Sequence, residues 1–206
     1  MRSPAAAGGD ETGPMASWET VFLARHAQTE WNVRRRRQGR LDSPLTATGV
    51  EQTRRHAAAL KPMAIDAIFA GPLGRTRETA RILGDALALE PVIVDDLAEL
   101  DHGTFSGLTD DEIDARFPGE RERRAAGKYT YRFPGGESYA DADVRAARAL
   151  GAITGRRPLL VAHEMVGRLL LRHLLGLDPA AALARTHPHD VVFEIDPEAQ
   201  TCRAVE

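Results

Sequence analysis

The run Val21, Phe22, Leu23, Ala24, which passes with no turn residue into Arg25 and His26, is the feature that most constrains this chain. Four unbroken apolar residues read as a strand buried on both faces of a parallel sheet, because a half-solvated strand would alternate apolar with polar. In an open α/β sheet, ligands collect outside the carboxyl ends of the strands. The imidazole of His26 is therefore predicted at a binding crevice, followed by Gln28, Thr29 and Asn32. A guanidinium grips two phosphoryl oxygens in fork geometry, and a neutral imidazole nitrogen can attack phosphorus. Arg25, His26, Thr29 and Asn32 are accordingly candidate residues of a phosphate site.

The rest of the chain repeats the strand-then-helix alternation. Thr46 is an N-cap for a helix to about residue 60, with Val50, Thr53, Ala57 and Leu60 on one face and Pro62 marking the stop. Residues 64–70 read as a second buried strand, followed by a turn at Gly71, Pro72 and Gly74 and a helix entered at Arg75, with Ala80, Leu83 and Leu87 inward. A cation at a helix N-terminus is opposed by the helix dipole, so Arg75 predicts an anion there, held jointly by the guanidinium and free backbone N–H groups. A third strand over 92–97 delivers Glu99 to a loop with Asp101 and His102, where a carboxyl held near neutral pKa by burial would serve as general acid. Thr109 or Asp110 caps a short helix, and Tyr139 opens a longer one to about residue 153. The final parallel strand starts at Pro158 and ends in His163, a second imidazole at a carboxyl strand end. Val166, Leu170, Leu174 and Leu177 give the next helix an apolar face, and residues 190–196 read as an edge strand.

The 206 residues suit one α/β domain, predicted over 18–206 after a small, polar, disordered tail over 1–17. A net charge of −3 supplies no global field toward nucleic acid or an acidic membrane, so any anion site must be local. The densest positive charge, Arg34 to Arg37 with Arg40, begins two residues past Asn32, which directs at least one of these arginines toward the pocket. Basic and aromatic residues also interleave over 116–139; in a net acidic chain that short stretch suits a polyol-phosphate site better than nucleic acid. No apolar segment approaches the roughly 20 residues that span a bilayer. The lone Cys202 excludes an intrachain disulfide and suits a reducing cytoplasm.

Five motifs in register resemble the histidine phosphatase, or phosphoglycerate mutase-like, superfamily: ARHAQTEWN around His26, QGRLDSPLT, PLGRTRETA, AELDHGTFSG and LLVAHE. The resemblance implies a three-layer α/β/α fold with a mostly parallel central sheet. It makes His26 the nucleophile that forms a phosphohistidine, Arg25, Asn32, Arg75 and His163 the holders of the phosphoryl oxygens, and Glu99 the proton donor and base. Thr29, Gln38 and Gly39 would contact substrate, and no metal or cofactor is implied. KYTYRFPGGESY is similar to the fructose-2,6-bisphosphatase domain, whose sugar phosphate is held by residues matching Arg124, Lys128 and Tyr139, with a further arginine matching Arg168. Three positions depart from the family pattern: Ala27 replaces a glycine, Asp110 a tyrosine and Glu164 a glutamine of that domain.

The expectation is thus a metal-independent cytoplasmic phosphatase, monomer or homodimer, acting on a small phosphorylated metabolite such as a sugar phosphate or bisphosphate. The alternatives are a phosphoglycerate mutase-type phosphotransferase, for which residues 100–157 form a shorter insertion than mutases carry, and a non-catalytic phosphoanion-binding protein.

Overall fold

The computed structural model describes residues 18–205; the tail predicted over 1–17 lies outside the described residues. Six strands form one sheet: β1 (Val21–Arg25), β2 (Ala67–Ala70), β3 (Pro91–Ile93), β4 (Pro158–Ala162), β5 (Val192–Asp196) and β6 (Thr201–Ala204), in the order β3-β2-β4-β1-β5-β6. The first four in that order run parallel, β5 pairs antiparallel with β1, and β6 pairs antiparallel with β5. The helices are α1 (Glu30–Val33), α2 (Ala47–Leu60), α3 (Gly74–Leu87), α4 (Asp110–Arg116), α5 (Glu120–Ala126), α6 (Tyr139–Gly151), α7 (Glu164–Leu174) and α8 (Pro179–Ala184).

Successive strand residues point to opposite faces, and both faces are covered. Phe22, Ala24, Ile68, Leu159 and Val161 pack with Ala57 and Leu60 of α2 and Ala80 and Leu83 of α3. Leu23, Phe69, Leu160 and Ala162 pack on the other side with Ala142 and Ala146 of α6 and Val166, Leu169 and Leu170 of α7. The result is the three-layer α/β/α fold, and it explains why the central strands carry no alternation. Burying each Leu or Phe stabilises by about 1.5–3 kcal/mol. No helix among the described residues is long and apolar enough to cross a membrane.

Several boundaries differ from the sequence expectation, each for a local reason. The strand expected over 64–70 begins only at Ala67: Ala64 adopts a left-handed conformation, and the Asp66 carboxylate accepts the Arg156 and Arg157 amides to close a turn. The strand expected over 92–97 is only Pro91–Ile93, because Asp95–Leu97 coil into a 3-10 turn that buries Leu97. The run 190–196 is not the sheet edge. Its β5 portion lies between β1 and β6, and β6, which the sequence reading did not foresee, supplies the edge. Helix α6 ends at Gly151, two residues early, and Leu177 packs on the core from beyond the end of α7.

Candidate active site

The parallel register pairs Arg25 with Ala162, so the next residue of each strand, His26 and His163, leaves the sheet beside the other. Their ring centroids are 5.3 Å apart; His163 is fully buried and His26 is 3% exposed. Nδ1 of His26 lies 2.8 Å from the Ala27 carbonyl oxygen. A carbonyl only accepts, so this bond assigns the proton to Nδ1 and leaves the lone pair on Nε2. Neither ring nitrogen of His163 has a partner among the described residues. Gly71 leaves room for that ring, since a Cβ there would sit 3.2 Å from His163 Nε2. Burial, then the nearby Arg75 charge, push both imidazoles well below the usual histidine pKa, so both are neutral at pH 7.

His26 opens onto a cavity of about 360 Å³ lined also by Arg25, Asn32, Gln38, Gly39, Arg75 and Glu99. Arg25 donates to the His187 carbonyl at 3.1 Å, and Nη1 lies 3.2 Å from a Glu164 oxygen. Thr29 does not line the cavity. It is fully buried and caps α1, accepting the Asn32 amide, while the Asn32 Oδ1 accepts the Thr29 N–H and hydroxyl. That capping box ties up the Asn32 oxygen and turns its amide nitrogen free for the pocket.

Arg75 is 2% exposed and donates to the carbonyls of Gly39 (2.8 Å) and Leu41 (2.7 Å). The anion expected at the start of α3 is part of the protein. The Asp42 carboxylate accepts the backbone N–H of Gly74 at 2.7 Å and of Arg75 at 3.3 Å, and also the Arg75 guanidinium at 2.9 Å. The helix dipole is thereby satisfied from within, and the α3 N–H groups are not open to a phosphate. The Arg75 guanidinium still faces the cavity, with its Nε unpaired among the described residues.

Glu99 is 6% exposed, and its carboxylate accepts three backbone N–H groups: Leu100 and Val166 on one oxygen, Met165 on the other. It thus sits at the N-terminus of α7, where a negative charge is favoured. Its loop is held by Arg145, which donates to the carbonyls of Asp96, Ala98 and Glu99 and to the Glu137 carboxylate. Asp101 accepts the Gly103 amide, and His102 packs on Phe133, with burial and then Arg37 lowering its pKa to about 3.

Further cations line the cavity. Arg36 pairs with Glu112 and Arg37 with Asp110. Arg124 lies over Phe133, and Lys128 donates to the Leu183 carbonyl at 3.3 Å; neither has an acidic partner among the described residues. Burial, then the neighbouring guanidiniums, lower the pKa of both. Arg168 lines the cavity and donates to the Tyr139 hydroxyl at 2.9 Å, whereas Tyr139 itself is buried and lines nothing. Gln38 is buried, and its Oε1 has no partner among the described residues. Among the described residues no group of three His, Cys, Asp or Glu side chains could hold a metal ion.

The sequence reading missed three residues of this site. Asp42 and Arg145 act as described above. The third is His189, whose Nδ1 donates to the His26 carbonyl at 2.7 Å and whose ring centroid is 5.1 Å from that of His26. Burial, then Arg25, lower its pKa to about 4. The pair His187 and His189 in THPHD was the available signal. It acquires meaning only from the antiparallel register of Ala24 with Val192, which carries residues before β5 alongside residues after β1.

The profile of the histidine phosphatase superfamily (branch 1) matches residues 21–206. The chain is 40% identical over 169 residues to a protein named probable phosphoglycerate mutase GpmB from Enterobacter sp. (strain 638), covering 80% of this chain and 78% of that one. Its fold is similar to the mycobacterial glucosyl-3-phosphoglycerate phosphatase Rv2419c in complex with VO3, with a TM-score of 0.77, 28% identity and coverage of 90% and 97% of the two chains. It is also similar to Bacillus stearothermophilus YhfR, with a TM-score of 0.79, 29% identity and coverage of 90% and 94%.

Proposed function

The chain belongs to the histidine phosphatase superfamily, and on that premise we propose that it hydrolyses a small phosphomonoester, a sugar phosphate or bisphosphate, through a phosphohistidine at His26. The observation that carries this reading is the pair of neutral, buried imidazoles 5.3 Å apart, with Arg25, Arg75 and Glu99 on the same cavity. Nε2 of His26 forms a bond to phosphorus as the ester P–O bond breaks, and Glu99, which takes up a proton when the phosphoryl dianion comes to lie beside its carboxylate, gives that proton to the departing alkoxide. Arg25, Arg75, His163 and the Asn32 amide hold the three equatorial oxygens as charge redistributes. Glu99, now a carboxylate, takes a proton from water; the water oxygen bonds to phosphorus, the N–P bond breaks and phosphate leaves. Charge neutralisation falls to guanidiniums and an imidazole, the part metal ions play in many other phosphoryl-transfer enzymes.

Arg124 and Lys128, cavity cations without acidic partners among the described residues, support a substrate with a second anionic group, in line with the fructose-2,6-bisphosphatase-like stretch around them. The purified protein is expected to release phosphate from small phosphomonoesters with EDTA present, and His26→Ala to lower that rate by at least about 10³-fold. Full activity in His26→Ala would overturn the reading. The mutase-type names of the sequence relatives favour a second one, selected if 2- and 3-phosphoglycerate interconvert faster than phosphate is released.

A further inference from the structure

Glu164, the first residue of α7, projects its carboxylate into the cavity between two guanidiniums. One oxygen lies 3.2 Å from Nη1 of Arg25 and the other 2.6 Å from Nη2 of Arg168. Both arginines are largely buried, whereas about a third of the Glu164 side chain remains accessible from the cavity. Arg168 is fixed further by the Tyr139 hydroxyl and the Arg185 carbonyl, so this ion pair cannot swing aside without breaking a buried network.

We infer that Glu164 determines which leaving group the site accepts: phosphomonoesters that present hydroxyls beside the phosphoryl-bearing carbon, and not those that present a carboxylate or second phosphoryl group there. This deepens the hydrolase reading and rests on it. Without Glu164, Arg25 and Arg168 would form a cationic pair next to the reacting phosphoryl group and would welcome a vicinal anion. With it, that place already holds an anion, which accepts hydrogen bonds from hydroxyls and repels a second negative charge. Inside a cavity of reduced dielectric, a like charge at such range disfavours binding by tenfold or more. A second anionic group would then be held by Arg124 and Lys128, cavity cations without a carboxylate partner among the described residues.

Glycerol 2-phosphate and 2-phosphoglycerate test this directly, since they differ only in a hydroxymethyl group against a carboxylate on the phosphoryl-bearing carbon. The native enzyme is expected to favour glycerol 2-phosphate in kcat/KM by at least about tenfold. Glu164→Gln, which keeps size and shape, should shift that ratio about tenfold toward 2-phosphoglycerate, and Glu164→Asp should retain the native preference. A merely structural role would move both esters alike. Calorimetric binding of the two esters to the native protein and to Glu164→Gln reads the same discrimination without turnover, so it decides the role of Glu164 even if the hydrolase reading fails. Equal preference in the native protein, or a ratio untouched by Glu164→Gln, would overturn the inference.

Discussion

At the floor of the cavity, His26 and Arg75 are almost sealed from solvent, with His163 fully buried beside His26, and the three hang from the ends of β1 and β4 and the first turn of α3. At the wall, Arg124 and Lys128 stand half-buried on α5 and the turn after it, one over an aromatic ring and the other on a single carbonyl. The charges are arranged differently too. Arg75 meets Asp42 and Arg25 meets Glu164, whereas Arg124 and Lys128 meet no carboxylate among the described residues. Rigid strand ends with balanced charge hold groups in a geometry that does not reorganise during a reaction, which is where preorganisation acts. Unbalanced cations on short helices leave their field to whatever enters the cavity, which is how a substrate is drawn in and selected.

The sharpest test of that division is at Glu99. Glu99→Gln keeps the shape but removes the proton, and turnover should fall about 10²- to 10⁴-fold with little change in KM; a small loss would place the proton donor elsewhere. Arg75→Ala should lower kcat about 10²-fold and also the melting temperature, because the Gly39 and Leu41 carbonyls lose their donor. On the wall, Lys128→Ala should raise KM for a sugar bisphosphate about tenfold, leave kcat nearly intact and weaken the salt dependence of kcat/KM. A wall substitution that lowers kcat as deeply as a floor one would break the contrast.

The smallest effect is on stability. His102 and His187 have pKa values lowered to about 3 by burial, against about 6.5 in the unfolded chain. Between those values the unfolded state binds protons that the folded state refuses. Their stabilisation is therefore complete above pH 6.5, declines as pH falls below it and is gone near pH 3. Each should account for about 2 kcal/mol of loss at pH 5, read as a lower urea midpoint than at pH 7.5. His102→Asn should remove its share of that drop.

What was legible along the chain followed the local signals. Arg25 with His26, and His163, each close an apolar run that can only be a strand buried on two faces, so their place at carboxyl strand ends could be read directly. Thr46 and Thr109 cap their helices as propensity dictates, because a cap is settled within four residues. Thr29 shows the limit of such reading: a hydroxyl next to a phosphate motif looks like a ligand, yet its capping bond to Asn32 takes it out of the cavity. The strand expected over 92–97 failed for a related reason, since Asp95–Leu97 are apolar and acidic in an order compatible with either strand or turn, and contacts with α6 decide.

The sequence by itself determined the alternation of strands and helices, the two imidazoles at strand ends and the local arginine motifs, because these depend on neighbours a few residues away. Only the tertiary structure decided that β5 lies inside the sheet, that Asp42 supplies the anion for α3 and Arg75, that His189 lies against His26, and that Glu164 spans Arg25 and Arg168. Strand register and ion pairing between distant segments are set by the packing of the whole sheet with its covering helices, and no stretch of the chain carries that information alone.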